Sequence, residues 1–171
     1  MAKPRKGVTY RGLERPYTRV SKYRELNYVR ANPPTKIAQF MMGTKDKEFS
    51  HRVALISQSG IQLRNIALES ARQACNRLLE KTIGKDAFLM LLKPYPHHIL
   101  RENPLAAGAG ADRMSTGMAH SFGKPIGKAA QVRPGTEIIV IHVDERNVRA
   151  AKEALKLASY KLPNSYTIRL N

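Results

Sequence analysis

The chain has 171 residues, a hydrophobic content of 42% and a formal net charge of +17. That length supports one domain with a real core, and that hydrophobic share argues against wholesale disorder. A compact chain so basic repels itself, so the charge calls for a polyanionic partner such as RNA, DNA or an anionic surface.

Residues 1–36 hold ten cations against Glu14 and Glu25, a net of +8. Among the cations are Lys3, Arg5, Lys6, Arg11, Arg15, Arg19, Lys22 and Arg24, and they alternate with Tyr10, Tyr17, Tyr23 and Tyr28. Cations meet phosphates while ring faces stack on unpaired bases, so this arm reads as an RNA-binding segment. The remainder, 37–171, reads as the folded domain.

"RVALIS" (52–57) predicts a strand. Segment 61–81 places Leu63, Ala67, Ala71, Ala74, Cys75 and Leu78 on one face at helical spacing, with Gly84 as its stop. "AFLMLLK" (87–93) predicts a buried strand, ended by "YPHH". A region without pattern, roughly 94–135, follows and is broken by five prolines. "TEIIVIHV" (136–143) predicts another strand. Asp144 can cap a second helix to about residue 159, with Val148, Ala151, Leu155 and Ala158 inward. "SYTIRL" (165–170) predicts the last strand. Two helices packed on strands give an α+β single domain, with strand direction unreadable.

The apolar runs are strand-length and far short of a bilayer span, and "MAKPRKGVTYRG" lacks the apolar stretch of a secretory signal. No membrane partner is therefore expected, and the chain reads as cytoplasmic. Cys75 is the sole cysteine, which rules out an internal disulfide. It falls on the apolar face of its helix, where a thiol is normally packing rather than a nucleophile.

The glycine-rich stretch 106–128 invites a phosphate-loop reading, which fails. Gly108 and Gly110 give G-x-G, but Arg113 stands where the third glycine belongs, and no G-x-x-x-x-G-K-[ST] occurs. His97 and His98 are adjacent, which suits one metal poorly, and His51, His120 and His142 have no H-x-x-x-H spacing. No acid/base set, metal site or cofactor motif stands out, so no catalytic residue and no cofactor is expected. As an RNA contact the loop makes better sense: Arg113, Lys124, Lys128 and Arg133 supply charge, and Phe122 and His120 supply stacking faces. Glycines let backbone N–H groups approach phosphates closely.

"KPYPHHILREN" (93–103), "GAGADRMSTGM" (108–118) and "FGKPIGKAAQV" (122–132) closely resemble the archaeal and eukaryotic branch of a universal large-subunit ribosomal family, called L-ten-e there and L-sixteen in bacteria. The likeness runs from "RPYTR" (15–19) through "KIAQFMMG" (36–43) and "IQLRNIALESARQACNRLL" (61–79) to the last strand, and its type is archaeal.

The resemblance implies an α/β hammerhead-type fold with two main helices on mixed strands. It implies binding to large-subunit rRNA and neighbouring ribosomal proteins, and a loop at about 101–128 facing tRNA near the A site and peptidyl transferase centre. Carried over by position, Arg101, Gly108, Gly110, Arg113, Met114, Gly117, Phe122, Gly123, Lys124, Gly127 and Lys128 belong to that loop. Many relatives have arginine where Ala119 and Gln131 stand, so two phosphate contacts are absent and Lys128 is a candidate replacement for one. The competing readings, an RNA-modifying or RNA-processing enzyme with a basic docking arm and a DNA-binding protein, find no supporting motif.

Overall fold

The computed structural model describes residues 5–18, 21–23, 25, 31–103, 117 and 123–171. The chain forms strands β1 (Met41–Gly43), β2 (His51–Ser57) and β3 (Ile61–Arg64), then helix α1 (Asn65–Ile83). Strands β4 (Phe88–Leu92), β5 (His98–Glu102), β6 (Lys124–Val132) and β7 (Glu137–Val143) follow. Helix α2 (Val148–Ser159) and strand β8 (Tyr166–Leu170) complete it.

Five strands make one sheet in the order β1-β4-β7-β2-β8, and three make a second in the order β3-β6-β5. Strand β7 is central because Ile138, Ile139, Val140 and Ile141 are all fully buried, leaving no polar face for solvent. Its neighbours answer it in register, Val53 opposite Ile141 on one side and Met90 opposite Ile141 on the other. Both helices join the same core: Leu68, Ala71, Cys75 and Leu79 of α1, and Ala151, Ala154, Leu155 and Ala158 of α2.

Four expectations need correction. The pairings are antiparallel throughout the described strands, not mixed. Segment 61–81 is not one helix: Ile61–Arg64 pairs with β6, from Ile61 opposite Val132 to Arg64 opposite Ala129. Apolar residues at 61 and 63 fit a two-residue period as well as a helical one, and burial of Ile61, Gln62 and Leu63 in succession favours the strand. The inward stripe of α1 is accordingly rotated onto Leu68, Cys75 and Leu79, leaving Ala67 and Leu78 only partly buried against it.

The region 94–135 carries two strands, β5 and β6, despite Pro125 and Gly127. Pro125 stands opposite Arg101, beside the register shift between Leu100 and Arg101. Proline is tolerated at such a bulge because the ladder there already lacks a regular bond. Asp144 does not cap α2 with its side chain. A 3₁₀ turn (Glu145–Asn147) precedes the helix, and the Asp144 carboxylate takes Lys47 Nζ at 2.7 Å instead.

Gly43 shows why β1 can lie so close to β4. Its φ is +92°, and a Cβ there would sit 2.1 Å from the Phe88 carbonyl oxygen. Nearby, Glu69 of α1 takes Arg72 with both oxygens (2.8 and 2.6 Å) and accepts the Ala38 backbone N–H at 3.3 Å, tying the lead-in to β1 onto the helix. Burial and these donors act oppositely on Glu69, and the donors win: Arg72 above all holds its carboxyl below the ordinary range.

Candidate nucleic-acid interface

The N-terminal segment lies against the small sheet, and its attachments run strand by strand. Tyr10 is buried with Leu100 and Ala129, over the partly buried Ile126. Arg64, at the end of β3, donates Nη1 to the Arg5 carbonyl at 3.1 Å and sets its guanidinium 5.7 Å from the Tyr10 ring centroid. Arg5 donates its backbone N–H to the Tyr10 hydroxyl (3.0 Å) and its Nε to Glu102 (3.2 Å), at the end of β5.

Two glutamines hold the next stretch. Gln62 Nε2 donates to the Gly12 carbonyl at 2.7 Å, and Gln131 Nε2 donates to the Glu14 carbonyl at 2.9 Å. Beyond them Tyr17 runs along β5: its N–H donates to His98 Nδ1 at 2.8 Å, and its carbonyl accepts the Ile99 N–H at 3.1 Å. The Arg101 guanidinium lies 3.8 Å from the Tyr17 ring centroid, a close cation–π stack.

His98 must keep Nδ1 unprotonated to accept that bond. Burial, opposed by Glu14 and helped by Arg101, pushes its pKa down and so favours the neutral ring. Cys75 is fully buried and its thiol is pushed up to about 12 by burial, which makes it inert packing and no nucleophile.

The sequence-derived residues divide into four groups. Lys6, Arg11, Arg15 and Lys22 are exposed, as is Tyr23 at 67%. Arg5, Tyr17 and Arg101 are instead engaged in holding the arm to the sheet. Lys124 opens β6 opposite Glu102, Gly123 just before it has φ +95°, and Lys128 Nζ reaches the Thr35 hydroxyl at 3.5 Å. Gly127 pairs with Leu100, and Gly117 is exposed. Lys3, Arg19, Arg24, Gly108, Gly110, Arg113, Met114 and Phe122 lie outside the described residues.

Sequence reasoning missed Gln62 and Arg64, set His98 aside as a metal ligand without finding its partner, and treated Gln131 only as a lost arginine. A buried polar residue among apolar neighbours in "IQLR" was the available signal, but it was absorbed into the helix expected there.

Among the described residues, no helix is long and apolar enough to cross a membrane. Among them also, no three His, Cys, Asp or Glu side chains are grouped to hold a metal ion.

The family model for ribosomal protein L16p/L10e matches residues 14–169, nearly the whole chain. The chain belongs to the ribosomal protein L16p/L10e family. It is 46% identical over 159 residues to a Methanococcus maripaludis protein named large ribosomal subunit protein uL16, covering 93% of this chain and 89% of that one. An Archaeoglobus fulgidus protein of the same name is 42% identical over 154 residues, covering 90% and 85%. The like-named protein of Nanoarchaeum equitans is 40% identical over 171 residues, covering 97% and 92%. All three relatives are named as proteins of the large ribosomal subunit, and the family model begins at Glu14, inside the arm segment that the two glutamines hold.

Proposed function

We propose that this chain is a structural constituent of the cytoplasmic large ribosomal subunit that binds rRNA and helps position tRNA near the A site and peptidyl transferase centre. The observation that carries the reading is the seating of the arm: exposed Lys6, Arg11 and Arg15 ride on a segment fastened to the small sheet. A fastened cation costs less ordering entropy on meeting a phosphate than one on a free tail. In this reading residues 1–36 form a basic arm partly integrated in the domain, and 37–171 form the α+β ribosomal domain of hammerhead type.

The segment at about 101–128 is the tRNA- and rRNA-facing loop. Its two described ends lie in strands β5 and β6, which also carry Leu100 and Ala129, against which Tyr10 of the arm is buried. Neighbouring ribosomal proteins share the remaining surface. Affinity comes from neutralising rRNA phosphates with release of counterions, and no catalysis is required of the chain.

The test is equilibrium binding to large-subunit rRNA across a salt series. Affinity should fall steeply with salt, and duplex DNA of equal length should bind more weakly. Equal affinity for both would remove the rRNA reading.

A further inference from the structure

Residues 93–97, "KPYPH", join β4 to β5. Pro94 and Pro96 each fix their own φ and hold the residue before them extended, so the side chains alternate from face to face. Pro96 and His98 are accordingly buried, whereas Tyr95 and His97 are exposed, Tyr95 at 44%. The Tyr95 and His97 rings meet with their centroids 4.6 Å apart. Phe40, just before β1, stacks on Tyr95 at 5.3 Å with the ring planes 25° apart. Phe40 itself packs against the main core, and its carbonyl accepts the Leu92 N–H at 2.8 Å. Three rings therefore run from the core out to the surface, on a backbone that two prolines stiffen.

Cations stand beside them. Lys93 is exposed at the start of the segment. Lys128 Nζ reaches the Thr35 hydroxyl at 3.5 Å, and that hydroxyl lies 3.4 Å from the Tyr95 hydroxyl. Exposed ring faces with ammonium groups at their margin suit an unpaired nucleotide, whose base stacks while its phosphate meets the cation. An acidic protein segment would use the cations but leave the ring faces without a planar partner.

We infer that the Phe40–Tyr95–His97 stack receives one unpaired base of the large-subunit rRNA, seated on the exposed rings of Tyr95 and His97. Stacking engages a ring face, which every base has, so the site selects an unpaired nucleotide and not a particular base. The inference rests on the rRNA-binding reading above and adds to its phosphate contacts one that releases no counterion.

The experiment measures binding of the full-length chain to deproteinised archaeal large-subunit rRNA across a salt series, for the wild type and two variants. His97 is exposed, so replacing it leaves the core in place. His97→Ala should weaken binding roughly tenfold at every salt concentration, with the slope of log affinity against log salt unchanged. His97→Phe keeps a ring and should bind as the wild type does. Unchanged affinity in His97→Ala overturns the inference. A loss that flattens the slope, or that His97→Phe fails to repair, overturns it as well, since either would mark a polar or phosphate contact rather than a stack. A wild-type chain that does not bind the rRNA overturns the rRNA reading itself, and this inference with it.

Discussion

Gln62 and Gln131 stand directly opposite one another in the β3–β6 pair, and each donates its side-chain N–H to the arm. The carbonyls they take, Gly12 and Glu14, are two residues apart, the spacing at which an extended chain turns the same way. The pair therefore works as a two-toothed grip on an arm whose charge would otherwise favour detachment. It also gives Gln131 a task that an arginine aimed at a phosphate would not perform.

If the grip is cooperative, the two teeth should not be additive. Gln131→Met and Gln62→Met should each cost about 1 kcal/mol of arm attachment, and the double variant less than their sum, since a freed arm leaves the second bond little to hold. Trypsin cleavage after Arg11, which precedes Gly12, reads the attachment directly. Cleavage as slow in the double variant as in the wild type would mean the arm is held by other contacts.

The cations of the arm should separate into two kinds. Alanine at Lys6, Arg11 and Arg15 together should weaken rRNA binding and flatten the slope of log affinity against log salt, by roughly 0.7 to 0.9 for each phosphate no longer neutralised. Arg5→Ala should instead act mainly on the arm's seating, through its bond to Glu102, with a smaller change in slope. A slope change for Arg5→Ala as large as for the triple variant would contradict the division.

Acid should release the same segment at its far end. The pKa of His98 is pushed down, chiefly by burial, so the folded state binds that proton less readily than the unfolded state does. Its contribution to stability is complete above the ordinary histidine pKa of about 6.5 and is lost as pH falls through the lower folded value. Glu14 opposes the shift and Arg101 reinforces it. Hydrogen exchange at the Tyr17 amide should therefore quicken as pH falls below that range, after correction for intrinsic rates. A corrected rate that stays flat to about pH 5 would contradict the role given to the His98 bond.

Gly43→Ala should destabilise the large sheet at its β1 edge by about 2 kcal/mol or more, because the site combines positive φ with contact at the Phe88 carbonyl. Thermal unfolding checks this, and an unchanged midpoint would mean β1 can shift away from β4 without loss.

What the sequence revealed and concealed follows from which signal each element carries. Strands β2 and β7 were legible because runs such as "IIVIHV" bury nearly every residue and have no helical alternative at that length, and β4 and β8 because apolar residues stand at every second position. Strand β3 was hidden because "IQLR" runs straight into Asn65 of α1 and shares its apolar rhythm. Strand β6 was hidden by Pro125 and Gly127, whose tolerance depends on a bulge formed with β5 on the far side of the loop. The arm's charge was plain in the composition. Its grip was not, because Gln62 and Gln131 lie 69 positions apart and meet only through sheet pairing.

The most direct test of the central claim is to follow the chain on a low-magnesium gradient, wild type beside the variant with alanine at Lys6, Arg11 and Arg15. The wild-type chain should migrate with the large subunit through a moderate salt wash, and the variant should be stripped by the same wash. A wild-type chain that stays at the top of the gradient would contradict stable residence on the subunit. A variant retained as firmly as the wild type would contradict the part given to the arm.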